Sequence, residues 1–252
     1  MTRIYVTGCV EVETDGGLIS EQQFPGRQGR LLFAYLVCHR QQPVTRGQLA
    51  DALWGDALPS AWEAALHALI SKLRSLMKRV GEPSVISLTN AFGTYVLHVD
   101  NSVWIDREAA TEAIDEAEGL LRSGDISAAW ASSNIAAITA RRPFLPGEEA
   151  DWVDRERAQL HAVLVRALDC LADIWAANGE ATLALETARE CVALEPFRET
   201  GYQRLMRLHI VLGNPAEALR VYESCRELLA SELGADPSQT TQAIYLELLG
   251  AP

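Results

Sequence analysis

A repeat of 34 residues near its end constrains this chain most. Gly179, Ala184 and Cys191 recur as Gly213, Ala218 and Cys225, with Leu185 matched by Leu219. Gly where two helices must turn sharply, and small residues where they cross, describe stacked antiparallel helix pairs. A poorer copy sits upstream at Gly124, Ala129 and Ala136, set apart by an insert of about 21 residues that contains PFLPGEEADWVDRE. Stable stacking needs about three such units, so the count is near its minimum.

The period and residue types are those of tetratricopeptide-like repeats, and residues 106–250 are expected to form an all-α domain of that kind. Cys191 and Cys225 fall on the small-residue position, so core packing is their reading rather than metal or redox chemistry. With Cys9, Cys38 and Cys170 they are scattered and odd in number, the pattern of a reducing cytoplasm.

Residues 1–100 read differently. RIYVTG, CVEVET and GLIS are rich in β-formers and broken by DGG, which predicts two or three short antiparallel strands. Val10 and Val12 would face inward, Glu11 and Glu13 outward. A helix over 26–40 would bury Leu31, Leu32, Tyr35, Leu36 and Cys38, and QQPV ends it. Thr45 can cap a second helix over 46–55, closed by Gly55. A third, SAWEAALHALISKLRSLMKRVG, carries Leu66, Leu69, Ile70, Leu73, Leu76, Met77 and Val80 at three-and-four spacing. Ser60 and Glu63 read as its capping box, and Gly81 and Pro83 as its stop. SVISL and TYVLHV, joined by TNAFG, then predict a hairpin. Sheet, helix, helix, short loop, helix and hairpin is the order of a winged helix-turn-helix, in which the third helix enters the major groove. The fold class is therefore mainly α with a small β component.

The net charge of −12 argues against nucleic acid only until it is mapped. Residues 1–105 hold nine of the 22 Lys and Arg and nine of the 34 Asp and Glu, so the second half carries the whole excess. Residues 64–81 carry Lys72, Arg74, Lys78 and Arg79 and no acid. A local basic patch on a neutral domain is compatible with DNA binding.

GRLLFAYLVCHRQQPVTRGQLADALWGDALP, with ISKLRSLM in the third helix and FGTYVL in the hairpin, resembles the OmpR-type winged helix of the Streptomyces antibiotic regulatory protein family. FLPGEEADWVDRERAQL and EPFRETGYQRLMRLHIVLGNPAEALRVYESCRELLASELGADPS resemble the bacterial transcriptional activator domain that follows it there. RRPF replaces the usual Trp-Arg-Gly entry. Ser71, Lys72 and Arg74 match the family segment that faces DNA. Lys72 stands where Arg is usual, which favours a phosphate contact over a bidentate contact to guanine.

The resemblance implies an activator that binds direct repeats in double-stranded DNA near a promoter and recruits RNA polymerase. It implies a homodimer, formed at the latest on DNA, with GDALPS as a polymerase contact. His67, Ser71, Lys72, Arg74 and Lys78 are the expected groove-facing residues. Arg79, Arg27, Arg30 and Arg46, with Thr89, Asn90 and Thr94 of the wing, would meet phosphates. A short, stand-alone cytoplasmic regulator is expected, without membrane span, metal or cofactor. The competing reading is a protein-interaction module whose degenerate winged helix is a scaffold without DNA affinity. The acid-bearing AWEAA start of the third helix and the acidic repeats favour it. Enzyme motifs are missing from the sequence: there is no P-loop, G-x-G-x-x-G, G-x-S-x-G or H-E-x-x-H, and the five histidines are isolated.

Overall fold

The computed structural model describes residues 1–79 and 84–250. Its strands and helices divide into two compact units, Met1–Ala110 with Thr139–Leu160, and Thr111–Ile138 with the described residues from His161 on. Among the described residues no helix is long and apolar enough to cross a membrane.

The first unit opens with β1 (Arg3–Tyr5), β2 (Glu11–Thr14) and β3 (Gly17–Ile19), antiparallel as their alternation and the Asp15-Gly16 turn require. Val10 and Val12 are buried, Glu13 is exposed and Glu11 is half-buried. A fourth strand, β7 (Trp104–Ile105), pairs parallel to β1 with Ile4 opposite Ile105, so the sheet order is β3-β2-β1-β7. Asp106, directly after it, is fully buried and accepts from the backbone N–H groups of Val6, Thr7 and Arg107 and from the Thr7 hydroxyl. Burial pushes this carboxyl above its ordinary value, although those donors oppose the shift.

Three helices follow: α1 (Gly26–Cys38), α2 (Arg46–Trp54) and α3 (Trp62–Met77). The periodicity works as expected. Leu31, Leu32, Tyr35 and Leu36 of α1 are buried, whereas Cys38, expected with them, is half-buried at the helix end; Leu66, Ile70, Leu73, Leu76 and Met77 of α3 are buried and Leu69 is half-buried. Each such large side chain contributes about 1.5–3 kcal/mol of transfer free energy. Thr45 caps α2 in a full capping box with Gln48.

Two local readings are corrected. Ser60 does not cap α3. The Trp62 N–H bonds to the Pro59 carbonyl, the N-cap is Ala61, and no side chain caps it. The chain turns into the helix one residue later than the Ser60–Glu63 spacing suggests, which leaves Glu63 in the first turn at the positive end of the helix dipole. The hairpin loop is also shorter than TNAFG. Strands β5 (Ile86–Ala91) and β6 (Thr94–Val99) pair through Ala91 and Thr94, so only Phe92 and Gly93 form the turn. The short β4 (Val44–Thr45) adds to β6, giving a second sheet of order β4-β6-β5. Val80, the last expected apolar residue of α3, and Gly81 and Pro83, its expected stop, lie outside the described residues.

Residues 139–160 complete this unit. Phe144 is buried, and Thr7 bridges to it. Trp152, in the first turn of α6 (Asp151–Ala177), stands edge-on to Tyr35 and donates its indole N–H to the Ala52 carbonyl at 3.0 Å. That tryptophan ties α6 to both α1 and α2.

The second unit is helical. Beyond its share of α4 (Asp106–Ser123), α5 (Ile126–Ala140) and α6 it contains α7 (Ala181–Leu194), α8 (Glu199–Val211), α9 (Pro215–Leu233) and α10 (Gln239–Leu248). Gly124, Gly179 and Gly213 stand at the α4–α5, α6–α7 and α8–α9 turns with φ of 84°, 79° and 73°, a region closed to most side chains. Ala129, Ala136, Ala184 and Ala218 are fully buried, and Cys191 and Cys225 nearly so. Ala184, Leu185 and Ala188 of α7 pack with Leu205 and Leu208 of α8. Met206, Ala218 and Tyr222 pack with Ile244 of α10, and Tyr222 stacks on Tyr245 at 4.0 Å. Burial pushes the thiols of Cys170, Cys191 and Cys225 up to about 11, so they stay protonated at neutral pH.

Candidate nucleic-acid interface

The buried stripe of α3 fixes which residues face out. His67, Ser71, Lys72, Ser75, Lys78 and Arg79 are all exposed. The first turns present Ala64 and Ala68 beside Glu63, so the polar part of this face begins at His67.

The hairpin β5–β6 stands next to that face, and one side chain joins them. Arg74 donates from Nε to the Leu88 carbonyl at 2.9 Å and from a terminal nitrogen to the Asn90 side-chain oxygen at 3.1 Å. His67, Ser71, Arg74, Lys78 and Asn90, five of the sequence-derived candidates, line one shallow groove of about 310 Å³ with Ser75 and Tyr95. Ser71 and Ser75 also border a second depression with Lys72, Arg79, Gln23 and Pro25. Glu63 is the one acidic residue of α3, and neither depression is lined by a carboxylate. Among the described residues Lys72, Lys78 and Arg79 form no ion pair. A basic surface without carboxylates attracts anions.

The other candidates are placed differently. Arg27 and Arg30 of α1 both bind Glu148, at 2.6 and 2.7 Å, and Arg30 also reaches Glu21 at 2.6 Å. Glu148 is only 3% exposed, so these arginines neutralise a buried carboxylate. Arg46 opens α2, half-buried, with an Nε that has no hydrogen-bond partner. Thr89 lies 3.0 Å from the His98 ring, and the Thr94 hydroxyl donates to the Ala91 carbonyl, so both serve the hairpin itself. Two residues escaped the sequence reading. Ser75 is one turn after Ser71 and donates to its carbonyl. Phe92, fully exposed, forms the hairpin tip. Among the described residues no three His, Cys, Asp or Glu side chains are grouped to hold a metal ion.

A winged helix-turn-helix and tetratricopeptide-like helix pairs in one chain define a class of transcriptional regulators. The comparisons with known proteins agree. Residues 105–249 match the bacterial transcriptional activator domain, and residues 25–96 match the C-terminal domain of transcriptional regulatory proteins. The chain belongs to the bacterial transcriptional activator domain family and, by the pairing of these two domains, to the Streptomyces antibiotic regulatory proteins. It is 29% identical to the regulatory protein AfsR of Streptomyces coelicolor over 99% of this chain and 24% of that protein. It is 26% identical to the transcriptional regulatory protein EmbR of Mycobacterium tuberculosis over 96% of this chain and 65% of that one. The structure of Mycobacterium tuberculosis EmbR in complex with a low-affinity phosphopeptide has the same fold, with a TM-score of 0.86 at 23% identity over all of this chain and 66% of that one. The chain thus spans about a quarter of the length of AfsR and just under two thirds of EmbR.

Proposed function

We propose that this chain is a sequence-specific DNA-binding transcriptional regulator, an activator that binds direct repeats near a promoter and recruits RNA polymerase. The observation that carries the reading is the acid-free groove between α3 and the wing, where five candidate residues converge. Residues 1–100 act as the DNA-binding domain and 106–250 as the activator domain. His67 and Ser71 meet base edges, while Lys72, Lys78 and Arg79 meet phosphates. Arg74 acts through the wing, because its guanidinium is engaged there. Asp56, Ala57 and Leu58, exposed between α2 and α3, form the surface offered to polymerase. The protein works as a homodimer on its repeats and performs no catalysis.

A second reading has its own support. Ala61, Ala64 and Ala68 with Glu63 make a poor leading turn for reading bases, as expected of a scaffold that binds only protein. A mobility-shift titration on duplex DNA from the protein's own upstream region separates the two. A DNA-binding regulator loses affinity steeply as salt rises, by about 0.9 log units per log unit of salt for each phosphate contact. Lys72→Ala with Lys78→Ala lowers that slope by about two. An undiminished shift in the double variant overturns the groove assignment, and no shift by the parent protein overturns DNA binding.

A further inference from the structure

The wing ends on a residue that serves the fold badly. Phe92 is 106% exposed, so its ring gains nothing from burial. It also has φ of +50°, with Gly93 at +81°, the backbone of a type I′ two-residue turn. That turn favours Asn or Asp followed by Gly, and a bulky side chain at positive φ is a genuine outlier. Position 92 therefore carries both strain and an uncovered aromatic ring, with no return inside the protein.

What lies around it points to an occupant. The hairpin tip carries no carboxylate: its residues are Thr89, Asn90, Ala91, Phe92, Gly93 and Thr94. Asn90, two residues before Phe92, is clamped to α3 by Arg74, so the tip is held at a fixed place beside the basic groove. Two residues of strand and the ring itself reach roughly 10 Å past that clamp, enough for a minor groove about 7.5 Å deep. Apolar wedges at such positions enter between base steps, unstack them and kink the duplex.

We propose that Phe92 is a DNA-deforming wedge: the wing inserts its ring into the minor groove beside the site occupied by α3 and bends the duplex there. The ligand is B-form DNA at a flexible pyrimidine–purine step, where unstacking costs least. This rests on the DNA-binding function proposed above and adds to it a source of specificity that needs no hydrogen bond to a base.

The experiment uses the full chain and the upstream duplex, with Phe92→Asn to remove the ring while suiting the turn and Phe92→Leu to keep an apolar wedge. Affinity is read by mobility shift, bending by circularly permuted fragments, and fold by thermal unfolding. Phe92→Asn is expected to raise the thermal midpoint by about 2 °C or more, lower DNA affinity about tenfold and abolish the bend. Phe92→Leu restores most of the bend. Unchanged affinity and bend in Phe92→Asn, with the parent binding DNA, overturns the wedge and leaves DNA binding standing. No DNA binding by the parent overturns both. Loss of a protein partner by Phe92→Asn, with DNA binding intact, overturns the wedge and makes the tip a protein contact.

Discussion

The first helix and the third begin as equals. Each is amphipathic and carries arginine on its polar side, and each is expected to meet phosphate. The fold separates them. Arg27 and Arg30 of α1 are consumed by Glu148, which reaches them from more than 110 residues along the chain, while Lys72 of α3 and Lys78 and Arg79 just past its end meet no carboxylate among the described residues. Whether a cation is free to bind a ligand is thus decided by distant acids more than by the helix that bears it.

The largest effect expected from this contrast is on stability. Arg27→Ala with Arg30→Ala leaves Glu148 buried without a counter-charge and should cost about 3 kcal/mol, near the low end for a broken buried pair because Arg27 is half exposed. Urea unfolding measures it. DNA affinity of the double variant, taken where it is fully folded, should change less than about threefold. Lys72→Ala with Lys78→Ala should do the reverse, with stability changed by less than about 0.5 kcal/mol. If the α1 variant loses DNA affinity as much as the α3 variant does, the distinction between the helices is wrong.

Arg74 stands between the two cases, since it belongs to the basic helix yet is engaged. Arg74→Ala removes two hydrogen bonds to the wing and should weaken DNA binding about tenfold, about 1.4 kcal/mol. Amide exchange in β5 should quicken in the free protein. Arg74→Lys keeps the charge but lacks the planar fork, so it should fail to restore slow exchange. If Lys restores both affinity and exchange, charge alone matters at this position.

Periodicity reads well in this chain because it records burial, and burial is a property of whole elements. The α3 stripe, the three glycine turns and the small-residue crossings of the repeat were all legible. Single partners were not. A Ser-x-x-Glu pattern before α3 competes with the actual turn at Pro59, whereas Thr45 with Gln48 before α2 forms the box. β7 has two residues and pairs with a strand about 100 positions away, so it leaves no pattern to read. Glu148, the residue that pairs with Arg27 and Arg30, lies in a segment whose sequence gives no hint of its target. The two capping readings differ measurably: Thr45→Ala should cost about 1 kcal/mol in urea unfolding, and Ser60→Ala less than about 0.5.

The smallest effect contrasts two carboxylates. Glu148 is held by guanidinium groups, whereas Glu199, at the start of α8, is held by neutral donors: the hydroxyls of Ser238 and Thr241 and the Ser238 N–H. Burial alone would raise the Glu199 carboxyl, but those hydrogen bonds outweigh it and the net shift is downward from 4.5. A depressed carboxylate stabilises the fold above its unfolded value and loses that contribution as pH falls through the folded one. Glu199→Gln should therefore flatten the stability profile below about pH 4.5, by only a few tenths of a kcal/mol because the group is partly solvated. The same variant should loosen α10, whose first turn those bonds tether, and amide exchange at Thr241 and Gln242 should quicken before any global change. Unaltered exchange there would mean that the packing of Ile244 and the Tyr222–Tyr245 stack hold α10 without help from the carboxylate.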